Sequence, residues 1–127
     1  MVERIRTVLL FVMAFAMVGV GVLHFVDPDP FVAIMPAWLP AHLELVYISG
    51  AFEILGGLGL LVPRTRRFAS WGLIALFVAV FPANINMAIH EIQLDPANPM
   101  PVWAMWARLP LQGVLIAWAW WVGRPKR

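Results

Sequence analysis

The sequence contains no cysteine, and formal charge is scarce along its 127 residues. Without cysteine the chain has no disulfide, no thiolate metal site, no dithiol redox centre and no cysteine nucleophile. Charged residues make up 13% of the chain, whereas a soluble domain carries about 25%. The net charge of +2 is too small, and the basic residues are too local, for a nucleic-acid partner. A hydrophobic fraction of 62% excludes a disordered chain and indicates a small integral membrane protein.

Four long apolar stretches make up most of the chain, and they cover residues 5–26, 43–62, 68–91 and 102–123. A helix needs about 20 apolar residues to cross the hydrocarbon layer of a bilayer, so each stretch is long enough. Only a helix satisfies its backbone hydrogen bonds within one segment, and the short alternating segments of a β-barrel are missing. We therefore predict an all-α fold in which residues 1–127 form a single four-helix transmembrane bundle.

The basic residues predict the orientation of this bundle. Eight of the nine lie before the first stretch, between the second and third, or after the fourth: Arg4, Arg6, Arg64, Arg66, Arg67, Arg124, Lys126 and Arg127. The loops at residues 27–42 and 92–101 contain neither Lys nor Arg. Because positively charged loops stay inside, both termini are expected in the cytoplasm. Apolar sequence continues for ten residues beyond the small residues at 14–16, which favours an uncleaved anchor over a signal peptide.

The two outer loops are rich in proline. In the first, four prolines surround Phe31, Ile34, Met35 and Trp38, which predicts a segment in the membrane interface. Its apolar side chains would either dip into lipid or lie over the mouth of the bundle. The second loop contains Pro96, Pro99 and Pro101, and we expect it to be extended.

Away from the ends of the predicted spans there are two charged residues, Glu53 and Arg108, and a charge costs about 2.5–3.5 kcal/mol at mid-span. Glu53 is about 15 Å deep from the outer end of its helix, and Arg108 is roughly 9 Å deep. This arithmetic makes a Glu53–Arg108 ion pair feasible, and pairing would offset much of the desolvation of either group. The pair would either fix the helix register or take part in chemistry.

Each predicted helix supplies polar residues to the outer half of the bundle. They are His24 on the first helix, Ser49 and Glu53 on the second, Asn84, Asn86 and His90 on the third, and Arg108 and Gln112 on the fourth. Together they predict a polar cup that opens outward and binds a ligand. Alternatively, the asparagines join helices by hydrogen bonds and the histidines are solvated. About 10 Å of depth separates the histidines from Glu53, so no metal site is expected.

Two further features concern helix packing. Pro82 cannot donate a backbone hydrogen bond and frees the carbonyl of Val78 within the third stretch. The six glycines of the first two stretches are expected to let helices approach closely; they are Gly19, Gly21, Gly50, Gly56, Gly57 and Gly59.

No nucleophile–base motif, phosphate loop, zinc motif or dinucleotide fingerprint is present. The sequence thus identifies no catalytic residue and favours an accessory subunit.

Several segments of the chain resemble the DoxX-like membrane proteins. They are Gly21-Val22-Leu23-His24-Phe25, Pro30-Phe31, Ser49-Gly50-Ala51-Phe52-Glu53 and Phe81-Pro82-Ala83-Asn84-Ile85-Asn86-Met87-Ala88. The resemblance spans residues 19–112 and implies a four-helix membrane bundle with His24, Glu53, Asn84 and Asn86 as its functional cluster. Members of that family include a subunit of a thiosulfate:quinone oxidoreductase, proteins of redox or detoxification complexes, and a distant animal receptor-assembly chaperone. The absence of cysteine argues against thiol-based redox chemistry here.

Three functions fit these observations. The first is a small subunit that binds a quinone-like or amphipathic molecule in the outer cup, within a membrane redox complex. The second is a non-catalytic, chaperone-like assembly protein whose polar cluster only holds its core together. The third is an oligomeric transporter of a small solute or of protons. In each case the lipid bilayer is a partner, and a homo-oligomer is compatible with all three.

Overall fold

The computed structural model describes residues 1–93 and 97–124, and within these residues it contains five helices and no strand. The helices are α1 (Val2–Val26), α2 (Asp29–Ala33), α3 (His42–Leu61), α4 (Arg66–His90) and α5 (Val102–Val122). The four long helices begin and end within about three residues of the predicted stretches, which is the usual uncertainty of a helix end. The prediction of an all-helical fold is confirmed.

Three of the helices, α1, α3 and α4, are long and apolar enough to cross a membrane. The fourth long helix, α5, has 21 residues and is not one of these three. It contains Arg108 and Gln112, as well as five of the seven tryptophans of the chain.

A tight connection joins α3 to α4 because side chains of the connection satisfy the last carbonyls of α3. The hydroxyl of Thr65 donates to the carbonyl of Gly59 at 2.8 Å, and Nε of Arg66 donates to the carbonyl of Leu60 at 2.7 Å. These carbonyls lack partners within the helix. The two helices therefore form an antiparallel hairpin.

The long helices pack in the order α1, α3, α4, α5, and the contact that closes the ring between α5 and α1 is the smallest. We call the end where the N-terminus, the α3–α4 connection and the end of α5 meet the basic half, and the other end the α2 half. The basic half holds a continuous apolar core. Its buried members are Leu10, Met13, Ala14, Met17, Leu60, Ala69, Leu73, Phe77, Ala119 and Val122.

Glycines allow α1 and α3 to approach closely, as predicted. A Cβ atom on Gly57 would lie 2.6 Å from the carbonyl oxygen of Ala14, and one on Gly21 would lie 2.7 Å from that of Gly50. Both distances are too short for real atoms, so a methyl group at either position would force the helices apart. The same prediction is wrong for Gly19, because no atom lies within 4 Å of its Cβ position.

One side chain, that of Gln93, joins the two ends of the connection between α4 and α5. The amide of Gln93 donates to the carbonyl of Met100 at 3.1 Å and accepts from the Met100 N–H at 2.7 Å. These two bonds hold the ends of the connection together. Of the loop predicted to be extended, residues 94–96 lie outside the described residues, Ala97 lies in a turn, and Pro101 is extended with φ −65° and ψ 149°.

Candidate functional site

A cavity of about 250 Å³ lies inside the α2 half, and all five helices contribute to its wall. Six of the eight polar residues predicted to bind a ligand line it: His24, Ser49, Glu53, Asn84, Arg108 and Gln112. The rest of the wall is apolar. A cavity of 150 Å³ already accepts a benzene molecule, so this one has room for a substituted ring or a group of similar size.

The carboxylate of Glu53 is buried at the centre of α3 without a hydrogen bond to one of its oxygens. The residue is 8% exposed, and Oε2 has no hydrogen-bond partner. The nearest basic atom is Nδ1 of His24, at 3.3 Å, so the separation of about 10 Å predicted from the rise per residue is wrong for this histidine. A buried carboxylate oxygen without a donor is costly, which makes this oxygen the least satisfied atom of the site.

The imidazole of His24 is held in place by a backbone carbonyl and an aromatic ring, and Gly50 leaves space for the Cβ atom of the residue. Its Nδ1 lies 2.8 Å from the carbonyl oxygen of Val20, and because a carbonyl only accepts, Nδ1 carries a proton directed at that oxygen. The ring stacks on Phe31 of α2 with 3.8 Å between centroids. A Cβ atom on Gly50 would lie 2.6 Å from Cβ of His24. Gly50 therefore provides the space that His24 occupies between α1 and α3.

The guanidinium of Arg108 lines the same cavity but does not pair with Glu53. Its one hydrogen bond among the described residues joins Nη1 to the sulfur of Met87, at 3.7 Å. In this part of the chain no carboxylate lies within 4.0 Å of it, so the expected Glu53–Arg108 pair is not formed. The two residues have compatible depths, but Glu53 approaches α1 while Arg108 approaches Met87 on α4.

Asn84 and Gln112 form a hydrogen-bonded pair between α4 and α5. The amide of Asn84 donates to Oε1 of Gln112 at 3.1 Å, and Nε2 of Gln112 donates to the carbonyl of Phe77 at 2.8 Å. This carbonyl is next to that of Val78, which Pro82 leaves without its backbone donor. The pair joins the two helices beside the cavity, as the alternative interpretation of the asparagines expected for Asn84.

Asn86 and His90, by contrast, do not line the cavity. Nδ2 of Asn86 donates to the carbonyl of Ile34 at 3.0 Å, just after α2. His90 is exposed, and its Nδ1 lies 3.1 Å from the carbonyl of Asn86 on its own helix. Asn86 therefore attaches α2 to the bundle, and His90 stands outside the site.

The segment around α2 lies over the mouth of the bundle, one of the two positions predicted for it. Phe31, Ile34 and Met35 line the cavity, and Ile34 is buried against α4 and α5. Trp38 beyond them is 74% exposed. The apolar side chains of this segment thus form the roof of the cavity.

A second, smaller cavity of about 160 Å³ adjoins the first. It shares Phe31, Ile34 and Arg108 with the main cavity, and Leu23, Asp27 and Pro30 complete it. These residues belong to α1, α5 and the segment around α2, where the ring of helices has its smallest contact. We call this second cavity, between α1 and α5, the passage; Arg108 lines both cavities.

The acidic residues and histidines of the site do not form a metal centre. Among residues 1–93 and 97–124, no group of three or more His, Asp or Glu side chains converges. The cavity itself offers one carboxylate and one imidazole, two protein ligands where a structural zinc site has four.

The sequence did not predict which apolar residues form the wall of the cavity. Met17, Val20, Phe77, Val80 and Leu115 contribute to it. Their residue types are the same as those of the packed core, so no local signal separates them from it. The proline-rich roof did have such a signal, because its apolar residues lie in a loop.

One family model matches the chain. It is described as Domain of unknown function (DUF8561), it matches residues 13–123, and the chain belongs to this family. No curated protein and no solved structure matches the chain.

Proposed function

We propose that this member of the DUF8561 family is a small membrane subunit that binds an amphipathic, quinone-like molecule in the cavity of the α2 half, within a membrane redox assembly. The proposal rests on one observation. Glu53 and Arg108 line one cavity, yet Oε2 of Glu53 has no hydrogen bond and Arg108 has only a sulfur contact in the described residues. Oε2 is enclosed beside His24, so a ligand would meet the carboxyl group of Glu53 from the side where this residue and Arg108 both form the cavity wall.

The two unpaired groups define what the ligand offers. A carboxylate oxygen accepts hydrogen bonds, so the group facing Glu53 carries a hydroxyl or another donor. A guanidinium only donates, so the group facing Arg108 is a carbonyl or another acceptor. A ring that carries a hydroxyl and a carbonyl meets both requirements. Binding sites for such molecules are mostly apolar with a few convergent polar groups, and this wall is of that kind.

The passage between α1 and α5 supports entry from the membrane. Its apolar members, Leu23, Pro30, Phe31 and Ile34, suit the tail of an amphipathic molecule, while Arg108 stands where the passage meets the main cavity. A ligand would then enter from the side, with its polar ring deep in the bundle and its tail toward the lipid.

The ligand proposal is tested by co-purification. We expect gently purified wild-type protein to carry a small amphipathic molecule, detected by native mass spectrometry and identified by lipid extraction. Glu53→Gln and Arg108→Gln should lose it because each removes one end of the polar contact. Glu44→Gln is the matched control, since Glu44 is exposed on the same helix. Retention in folded Glu53→Gln protein would contradict the proposal.

The same proposal includes four spans, with α5 as the fourth, both termini in the cytoplasm, and a bacterial inner membrane. The polar residues Arg108 and Gln112 of α5 face the cavity, whereas Leu111 and Val114 are 55% and 57% exposed. A helix with its polar residues inside and its apolar residues outside is compatible with a span. The distribution of Lys and Arg supports the orientation, and the DoxX-like resemblance supports the four spans.

The natural absence of cysteine makes this topology easy to test. Ala37→Cys places a thiol beside α2 and Arg64→Cys places one in the α3–α4 connection, and both positions are exposed. In intact cells, a membrane-impermeant maleimide should label only Ala37→Cys, and both should react after lysis. Labelling of Arg64→Cys in intact cells would reverse the orientation.

A non-catalytic assembly protein is the second candidate, and the Asn84–Gln112 pair favours it. This pair is satisfied within the protein, without a ligand. In that case no molecule co-purifies, and Glu53→Gln reduces stability without changing the composition of the purified protein.

A further inference from the structure

A third cavity, of about 280 Å³, lies at the opposite end of the bundle from the proposed ligand site. Arg6, Thr7, Leu10 and Phe11 of α1 line it, with Pro63, Arg66 and Val122 opposite. Two arginines that are 60 positions apart in the chain therefore converge on one cavity from different helices. None of these residues contributes to the cavity beneath α2.

Both arginines retain free donors toward this cavity. The side chain of Arg6 is only 11% exposed, and its partner Glu3 is 57% exposed with 3.6 Å between Nη1 and Oε1. Arg66 uses Nε to donate to the carbonyl of Leu60. Within the described residues its terminal nitrogens have no further partner. A guanidinium with free terminal N–H groups suits the oxygens of a phosphate.

The other side of the cavity is apolar. Leu10 belongs to the packed core, while Phe11 is 44% exposed on the outer face of α1. Nearby, Nε1 of Trp118 donates to the carbonyl of Leu9 at 3.1 Å, and such rings are typical of the boundary between lipid and water. The cavity thus combines two cations with an apolar wall that leads toward the lipid.

We propose that this cavity binds the headgroup of an anionic phospholipid, with the phosphate held by Arg6 and Arg66 and an acyl chain along Phe11. Charge complementarity supports this occupant, because Arg4, Arg64, Arg67 and Arg124 also lie at this end. Basic recesses between membrane helices bind anionic headgroups in this way. The inference rests on the proposed membrane insertion but not on the ligand of the α2 half.

The test compares arginines that line the cavity with exposed neighbours. Native mass spectrometry of the full chain in detergent measures binding of phosphatidylglycerol, with phosphatidylcholine as the neutral lipid. Arg6→Gln and Arg66→Gln should each weaken phosphatidylglycerol binding roughly tenfold, the usual effect of losing a charge-assisted hydrogen bond. Arg4→Gln and Arg64→Gln remove the same charge from exposed positions and should change it by less than about twofold.

Three results would overturn the proposal. Equal losses in Arg4→Gln and Arg6→Gln would indicate diffuse surface charge, and equal binding of phosphatidylcholine would exclude recognition of an anionic headgroup. Complete displacement of the lipid by millimolar inorganic phosphate would indicate a site for the free anion. Arg6→Gln is the variant less exposed to misfolding, because among the described residues the guanidinium of Arg6 pairs with exposed Glu3, whereas Arg66 donates to the end of α3. Ligand retention in the α2 half is a separate measurement, so either proposal can fail alone.

Discussion

The two halves of this bundle are built in opposite ways. In the basic half, the buried side chains between the helices are apolar, the cavity lined by Arg6 and Arg66 borders this core, and a buried serine donates to the carbonyl of Ala119 at 2.6 Å. In the α2 half, four of the five buried polar residues of the described chain surround a cavity: His24, Glu53, Asn84 and Gln112. The carboxylate of Glu53 lies there with an oxygen that has no donor.

This difference separates stability from binding. A closely packed core holds its shape because any change in side-chain volume costs free energy. An unpaired buried polar group lowers stability. The apolar core of the basic half therefore stabilises the bundle, whereas the carboxylate of Glu53 lowers the stability of the α2 half, a cost that the proposed ligand binding would explain.

The largest expected effect comes from shortening a leucine inside the core of the basic half, compared with one where this core meets the cavity of the α2 half. Leu73 is fully buried in the basic half, so Leu73→Ala should lower the free energy of unfolding by about 2–5 kcal/mol. Leu115 packs against the edge of the same core and lines the cavity, and Leu115→Ala should cost clearly less because its side chain already borders empty space. Denaturant unfolding in mixed micelles measures both. Equal losses would mean that the α2 half is as tightly packed as the basic half.

A smaller loss is expected from adding one methyl group where α1 meets α3. Gly57→Ala places its Cβ 2.6 Å from the carbonyl oxygen of Ala14, so it should destabilise the protein by about 1–3 kcal/mol through overpacking. Gly113→Ala is the control, since no atom lies within 4 Å of its Cβ position. Thermal unfolding in detergent compares the two variants. If Gly57→Ala were as stable as Gly113→Ala, the close approach of α1 and α3 would be disproved.

The smallest effect concerns the attachment of the roof. Asn86→Ala removes the hydrogen bond to the carbonyl of Ile34, which should weaken the attachment of α2 by about 1 kcal/mol. Hydrogen exchange should then accelerate in the segment around α2 while α4 and α5 keep their protection. His90→Ala serves as the control because His90 is exposed and contacts only its own helix. Unchanged exchange in Asn86→Ala would show that Phe31 and Ile34 hold the roof without it.

Much of the fold could be predicted because each helix is determined locally. The apolar stretches set the length of α1, α3, α4 and α5, and the backbone of each is satisfied within its own segment. Proline-rich sequence between residues 27 and 42 indicated a separate element at the bundle mouth. The height of Glu53 and Arg108 along their helices also followed from the rise per residue.

The pairing of side chains could not be predicted in the same way. Glu53 lies beside His24 rather than Arg108, and Asn86 bonds to the segment after α2 although Asn84, two positions earlier, lines the cavity. Gly21 lies against α3, whereas Gly19 on the same helix has open space. Each of these outcomes depends on how far a helix is rotated about its axis.

By itself, the sequence determined which segments are helical, how long they are, and which few polar residues must be buried in an apolar chain. Only the tertiary structure decided which of those residues share a cavity, which join helices, and which stand outside. The reason is geometric: hydropathy and rise per residue place a side chain along a helix axis. Its direction around that axis depends on packing against neighbours that are distant in the chain.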